Sequence, residues 1–214
     1  MHFLRKYIAS FIDCVLPPRE AELQLRKLTP NNFPFIKSEF KTESGMSVLT
    51  LSVFTDERVR LAIHELKFHK NSHAASLYSE NVHDALQEVC SRSNLEYLIV
   101  PIPLHKKRYR ARGYNQVVTI IMSAHSKGTE HPLNTIFSAD ALTRIRETKP
   151  QTELSRESRL KNLHHAFSAS SEVRDRNVIV VDDVYTTGAT CAEAQRALMY
   201  AGARSVTCIV LARA

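Results

Sequence analysis

Two adjacent carboxylates and a turn rich in hydroxyl groups lie close together near the end of the chain. Asp182 and Asp183 follow a continuous run of aliphatic residues at 178–181, which is typical of a strand buried on both faces of a parallel sheet. The residues after them are rich in helix formers as far as Gly202. The pattern predicts a strand, a turn and a helix, and the residues of the turn that could contact a ligand are Thr186, Thr187, Gly188, Ala189 and Thr190.

These residues could bind a phosphorylated sugar. The N-terminus of a helix attracts an anion, Gly188 permits close approach of the backbone, and threonine hydroxyls add hydrogen-bond donors. Asp182 and Asp183 would repel that anion, so we expect them to accept hydrogen bonds from sugar hydroxyls or to hold a divalent cation. A phosphorylated ribose meets both requirements.

The same residues fit two other kinds of turn less well. The first is an ordinary turn between a strand and a helix, in which Thr187 caps the helix and both aspartates are solvated. The second is a Walker loop, which is excluded because no Gly-x-x-x-x-Gly-Lys motif follows a strand.

Composition restricts the class of protein. A chain of 214 residues with 43% hydrophobic residues is long enough for one domain with a buried core and a small appendage. The net charge of +7 favours anionic partners, although it could simply confer solubility. Four cysteines far apart in the sequence favour reduced thiols and a cytoplasmic location. No apolar run approaches the roughly 18 residues of a membrane-spanning helix, and no targeting segment is predicted.

Strands and helices alternate along the predicted chain, which indicates an α/β fold with a parallel sheet. Helices are predicted at residues 2–16, 56–69, 72–92 and 113–124, and strands at residues 47–54, 95–103, 139–144 and 205–211. The segment 145–162 is charged and almost without apolar residues. It is therefore either a mobile lid or a disordered insert.

Four motifs in order give the chain a resemblance to a known family. They are the stretch 177–190 around the carboxylates, the Leu-Lys-Phe at 66–68, the segment 100–116 and the segment 151–167. Together they resemble the competence protein F family, which has a phosphoribosyltransferase-like domain and is associated with uptake of transforming DNA. The resemblance covers residues 46–213.

The resemblance implies a doubly wound parallel sheet of the type I phosphoribosyltransferase kind with an N-terminal hood. It divides the chain into an N-terminal region at 1–45, a hood at 46–92 and a core at 93–214. The implied ligand is phosphoribosyl pyrophosphate with Mg²⁺, and the implied chemistry is displacement of pyrophosphate from the anomeric carbon of ribose. No acceptor for the ribose can be named.

Roles follow residue by residue from the same resemblance. Asp182 and Asp183 would hold the ribose hydroxyls and the metal, and residues 186–190 would hold the 5′-phosphate. The pyrophosphate would contact Arg108, Arg110 and Arg112, and further contacts are implied for Lys67, Arg146, Lys149 and Gln151. The candidate catalytic residues are Asp182, Asp183 and Lys149. A solvated basic turn at 103–112 and a surface lysine at position 67 are the alternatives.

The chain departs from the family in its N-terminal region. Members usually carry a four-cysteine zinc finger there, but Pro17 stands where a Cys-x-x-Cys partner of Cys14 would be. A structural zinc site needs about four ligands, so no zinc is expected. The histidines at 64, 69, 73 and 83 are expected to be solvated rather than ligands, since no carboxylate is predicted beside them.

Two rival functions remain open at this level. In the first, the protein is a non-catalytic module that binds single-stranded DNA, with the competence machinery as its partner. The basic cluster for this contact is Lys106, Lys107, Arg108, Arg110 and Arg112, and Tyr109 and Tyr114 would provide stacking surfaces. In the second, it is a regulator that senses phosphoribosyl pyrophosphate.

Overall fold

A computed structural model describes residues 19–93, 95–127, 134–146 and 165–214. It shows a mostly parallel sheet with helices on both faces. The described strands are β1 (Phe35–Lys41), β2 (Ser47–Ser52), β3 (Tyr97–Pro101), β4 (Thr135–Phe137), β5 (Leu142–Arg144), β6 (Phe167–Ala169), β7 (Asn177–Tyr185) and β8 (Ser205–Arg213). The described helices are α1 (Glu20–Arg26), α2 (Glu57–His69), α3 (Ser72–Ser91), α4 (Lys106–Arg112), α5 (Gln116–Lys127) and α6 (Ala189–Tyr200).

The strand order of the main sheet is β1–β2–β8–β7–β3–β4, and only the β1–β2 pair is antiparallel. The central strand β7 is apolar throughout its first half because both of its faces are covered. Ile179 and Val181 join a core with α2, α3 and α5, whereas Val178 and Val180 join a second core with α6. This arrangement confirms the predicted doubly wound fold class.

The helices α2 and α3 begin where capping residues stand. The Asp56 side chain accepts a hydrogen bond from the Arg58 backbone N–H, and the Asn71 side chain accepts from His73 and Ala74. Between the two helices, Lys70 adopts a left-handed conformation with φ of 49°. Both helices lie within one residue of their predicted ranges. The structure includes β2 in the main sheet and packs α2 and α3 against that sheet, and the division into hood and core stays a prediction.

The prediction for the second core strand was wrong. Residues 139–144 do not enter the parallel sheet, because Leu142–Arg144 pairs antiparallel with Phe167–Ala169 in a separate ribbon. The strand next to β3 is Thr135–Phe137. Its three residues at the edge of the sheet are too few to show a hydrophobic period.

Other elements were not predicted from the sequence. Helix α4 lies in the segment predicted as a loop at 103–112, and it has no buried residue. Helix α1 and strand β1 lie in the region 17–45, for which no element was predicted. The predicted helix at 2–16 and the greater part of the predicted lid lie outside the described residues.

Candidate functional site

The carboxyl ends of β3 and β7 meet at one edge of the sheet because the two strands are parallel. Pro101 pairs with Val181, and the Ile102 backbone N–H donates to the Val181 carbonyl at 2.8 Å. Asp182 and Asp183 therefore stand just beyond the end of β3. Helices α4 and α6 begin close to this edge, where open parallel sheets bind ligands.

The turn between β7 and α6 contains a glycine in the left-handed conformation. Gly188 has φ of 77°, and a Cβ atom at that position would lie 2.3 Å from the Tyr185 hydroxyl. Because Gly188 has no side chain, the loop can pass close to the tyrosine. The hollow beside it is lined by Asp182, Val184, Tyr185, Thr186, Gly188, Ala189, Thr190 and Cys191.

Asp183 is held from two sides. The Lys67 ammonium of α2 lies 2.9 Å from Asp183 Oδ1, and the Gln116 side-chain amide donates to Oδ2. Arg112 Nη1 in turn donates to Gln116 Oε1 at 2.5 Å. Sequence reasoning did not select Gln116, although it closes the quoted segment 100–116.

Asp182 has a different environment from its neighbour. It is 8% exposed, and its Oδ1 accepts a hydrogen bond of 2.8 Å from the Asp183 backbone N–H. Burial, together with the negative charge of Asp183, raises the pKa of Asp182 to about 7. One carboxylate of the pair is thus ion-paired, and the other exchanges a proton near neutral pH.

The predicted arginines of α4 differ in how far they are exposed. Arg110 is exposed, and Arg108 is half-buried. Arg112 is half-buried with its guanidinium 5.4 Å from the centre of the Phe68 ring, and burial lowers its pKa. The predicted contact residue Arg146 is exposed, and Lys149 and Gln151 lie outside the described residues.

Arg144 is a further basic residue of this edge that sequence reasoning missed. It ends β5, and its guanidinium lies 5.5 Å from the centre of the Phe167 ring. Burial and, to a smaller extent, the Arg108 charge lower the pKa of Arg144 to about 10, while the Asp182 charge opposes this effect. The only sequence signal was an arginine at the end of a predicted strand.

Tyr114 ties two parts of the site together. Its hydroxyl donates to the Leu66 carbonyl at 2.6 Å and accepts from the Lys70 backbone N–H at 2.7 Å. The ring is half-buried and its hydroxyl is fixed, and the availability of Tyr114 for stacking stays a prediction. Tyr109 and Phe68 are the exposed rings of this region.

The prediction that no carboxylate lies beside the histidines of α2 was also wrong. His64 Nδ1 and His69 Nε2 each lie 3.8 Å from Glu65 Oε1, and the three groups could hold a metal ion. Glu65 is fully buried, and Arg19 donates to both of its oxygens at 2.8 and 2.6 Å. This guanidinium already balances the charge of the carboxylate, which disfavours a cation there.

None of the described helices is long and apolar enough to cross a membrane.

The parallel strands thus bring a carboxylate pair, a glycine-containing turn and several guanidinium groups to one edge of the sheet.

Comparisons with known proteins agree with this geometry. The phosphoribosyl transferase domain family matches residues 104–214. DNA utilization protein YhgH of Salmonella typhi is 34% identical over 158 residues, which is 72% of this chain and 66% of that protein. Competence protein F of Haemophilus influenzae is 37% identical over 120 residues, which is 54% of this chain and 50% of that protein.

A solved structure of a hypoxanthine phosphoribosyltransferase from Staphylococcus aureus is 12% identical, with a TM-score of 0.37, and covers 71% of this chain and 64% of that one. The matches to the curated relatives span about two thirds of their length or less. With the family match over residues 104–214 and the likeness to both relatives, the chain belongs to the competence protein F family of phosphoribosyltransferase-like proteins.

Proposed function

We propose that the protein binds phosphoribosyl pyrophosphate together with Mg²⁺. The observation that carries this proposal is the meeting of Asp182 and Asp183 with the turn at 186–190 at the junction of one strand and one helix. A phosphorylated ribose needs acceptors for its hydroxyls and a positive helix end for its phosphate, and this junction offers both.

The guanidinium groups near the carboxylate pair support binding of the pyrophosphate part of the ligand. The charge of Arg108 lowers the pKa of Arg144 and the charge of Asp182 raises it, so the Arg144 guanidinium lies near both groups. Two neighbouring guanidinium groups repel each other in the free protein. A pyrophosphate between them would relieve this repulsion and would accept their hydrogen bonds.

The donor set fits Mg²⁺, which prefers carboxylate and phosphate oxygens. Asp182 and Asp183 would hold the ion, which would supply charge neutralisation at the leaving pyrophosphate. Asp183 would share its negative charge between the ion and Lys67, because the Lys67 ammonium lies 2.9 Å from Oδ1 in the structure. The phosphates of the ligand would provide Lys67 with a new counterion.

Calorimetry with Mg²⁺ and phosphoribosyl pyrophosphate tests the site. We expect at least tenfold weaker binding by the double variant Asp182→Asn/Asp183→Asn, because both hydroxyl acceptors lose their charge. Asp140→Asn, a change at an exposed aspartate, serves as the control. No binding by the natural chain would refute the proposal, and equal affinity in a folded double variant would remove the site assignment.

A second candidate function is binding of single-stranded DNA, as a step in DNA uptake with the competence machinery as partner. The observation that favours it is the exposed row of cations Lys106, Lys107 and Arg110 on α4, together with the names of the relatives. Phosphate contacts release counterions, so the logarithm of affinity should fall with the logarithm of salt concentration by about 0.7 per phosphate.

A cytoplasmic location of the protein also stays a prediction.

The salt dependence of oligonucleotide binding tests this candidate. Alanine at Lys106, Lys107 and Arg110 should reduce the slope by about 2, since three phosphate contacts are lost. Alanine at Lys27, Lys41 and Arg204, which are exposed cations on other parts of the chain, should leave the slope unchanged. Equal slopes for both triple variants would exclude α4 as the contact.

A further inference from the structure

Phe68 leaves a large apolar ring on the surface beside the candidate site. Its side chain is 60% exposed, whereas Leu66 in the same turn of α2 is 2% exposed. Helical periodicity explains the difference, because Val59, Ile63 and Leu66 form the buried stripe and Phe68 falls outside it. A single exposed aromatic residue needs no functional explanation, so the neighbours of the ring decide its role.

Two flat groups lie against this ring. The Arg112 guanidinium is 5.4 Å from its centre, and the His64 ring is 4.8 Å away at an angle of 44°. Arg112 is fixed in place by its hydrogen bond to Gln116. Phe68 and Arg112 together are named the Phe68 shelf.

Two short connections place the Phe68 shelf next to the carboxylate pair. Lys67, the residue before Phe68, pairs with Asp183 at 2.9 Å. On the other side, Arg112 reaches Asp183 through Gln116. A ring stacked on the shelf would therefore lie beside the carboxylate that is proposed to hold ribose.

Positive charge continues from the Phe68 shelf along α4. The seven residues of this helix span about 10 Å, and they present Lys106, Lys107 and Arg110 to solvent. Glu65, a carboxylate on the same helix as Phe68, is buried and paired with Arg19. The exposed side of α4 is thus complementary to a chain of phosphates.

We propose that the Phe68 shelf stacks an unpaired base of single-stranded DNA, whose phosphates contact the exposed cations of α4. Aromatic and guanidinium planes both stack on bases of any sequence. A polymer fits better than a free base, because sites for small ligands enclose most of their ligand and this ring is open to solvent. The inference rests on the second candidate function and adds the base contact to it.

Fluorescence anisotropy with two strands of equal length, oligothymidine and an abasic strand, separates base contacts from phosphate contacts. Phe68→Leu should weaken binding of oligothymidine about tenfold, which corresponds to about 1.4 kcal/mol. It should leave binding of the abasic strand unchanged, since the cations remain. Phe68→Trp should retain affinity, and Tyr200→Leu, a change at a 90% exposed ring on α6, should have no effect.

Several outcomes would overturn the Phe68 shelf as a base site. They are equal binding of both strands by the natural chain, an equal loss for both strands in Phe68→Leu, and a loss of discrimination in Tyr109→Leu alone. Competition by free thymidine at the concentration of the strand would assign the shelf to a small acceptor instead. If neither strand binds at low salt, the DNA candidate itself fails, while calorimetry with phosphoribosyl pyrophosphate reports separately on the first proposal.

Discussion

Single residues at the end of β7 have environments that the sequence indicates only in part. The identity and order of Asp182, Asp183 and Gly188 predict a ligand turn, because these residue types have few other uses after a buried strand. The contacts of Asp183 with Lys67 and Gln116 join helices distant in sequence. No local pattern specifies such contacts, so they could not be predicted.

Replacing Gly188 with alanine should disable the ligand turn. The backbone there has φ of 77°, which costs a residue with a Cβ roughly 1–2 kcal/mol, and the new Cβ would also meet the Tyr185 hydroxyl at 2.3 Å. We expect a lower free energy of unfolding and loss of binding of phosphoribosyl pyrophosphate, measured by urea titration and calorimetry.

Gly45→Ala is the matched control for this change. Gly45 has φ of 79°, but nothing lies within 4 Å of the position of its Cβ. The two variants therefore share the backbone cost and differ in the contact with Tyr185. Equal destabilisation of both variants, with ligand binding intact in Gly188→Ala, would contradict the role given to this glycine.

Asp182 should make stability fall as the pH rises. Its pKa in the folded protein is about 7, above the ordinary value of about 3.9, so the folded state binds the proton more tightly than the unfolded state. The stabilisation is fully present below about pH 4 and is lost as the pH rises to about 7.

The measurement is the difference in free energy of unfolding between the natural chain and Asp182→Asn. Since asparagine does not titrate, this difference isolates the contribution of Asp182 from those of other groups. The natural chain should lose stability relative to the variant between about pH 4 and about pH 7. Parallel pH profiles for the two proteins would show that Asp182 titrates normally.

At the scale of elements, the sequence predicted long periodic helices well and short ones poorly. Helix α2 has a capping aspartate and a buried stripe, and both signals are local. Helix α4 is capped by His105 rather than by an aspartate, and it has no buried stripe, because none of its side chains is buried. Strand β4 was missed for a related reason, since its place at the edge of the sheet requires only three residues.

The end of α2 should depend on one hydroxyl group. Tyr114 bonds to both the Leu66 carbonyl and the Lys70 N–H, so it holds the end of the helix against the segment before α5. Tyr114→Phe should lower the free energy of unfolding by about 1 kcal/mol, which for a chain of this size is a fall in Tm of about 2–4 °C. Tyr109→Phe, at a 52% exposed ring, is the control. Equal Tm values for the two variants would mean that the hydroxyl of Tyr114 contributes nothing.

At the scale of the whole molecule, two apolar cores on either side of one sheet hold the described chain together. The alternation of strands and helices predicted this architecture, because each strand in the centre must be covered on both faces. The antiparallel addition of β1 to β2 was not predicted, since β1 is largely exposed. Its burial pattern therefore differs little from that of a polar loop.

The whole protein should be stable without zinc. Cys191 and Cys208 are buried side by side within the core of α6, and Cys90 lies apart from them, so these described thiols do not form a four-ligand site. The candidate cluster of α2 has its carboxylate paired with Arg19.

Elemental analysis of the purified protein should find well under one zinc per chain, and a chelator should leave Tm unchanged. As a control, a protein with a structural zinc site should unfold when the same chelator is added under the same conditions. About one zinc per chain would contradict the prediction, and two variants would then locate the ion. Loss of the metal in His64→Ala/His69→Ala would place it on α2, because that change removes two of the three ligands there. Loss in Cys14→Ser would place it in the N-terminal region, where the sequence departs from the zinc-finger pattern of the family.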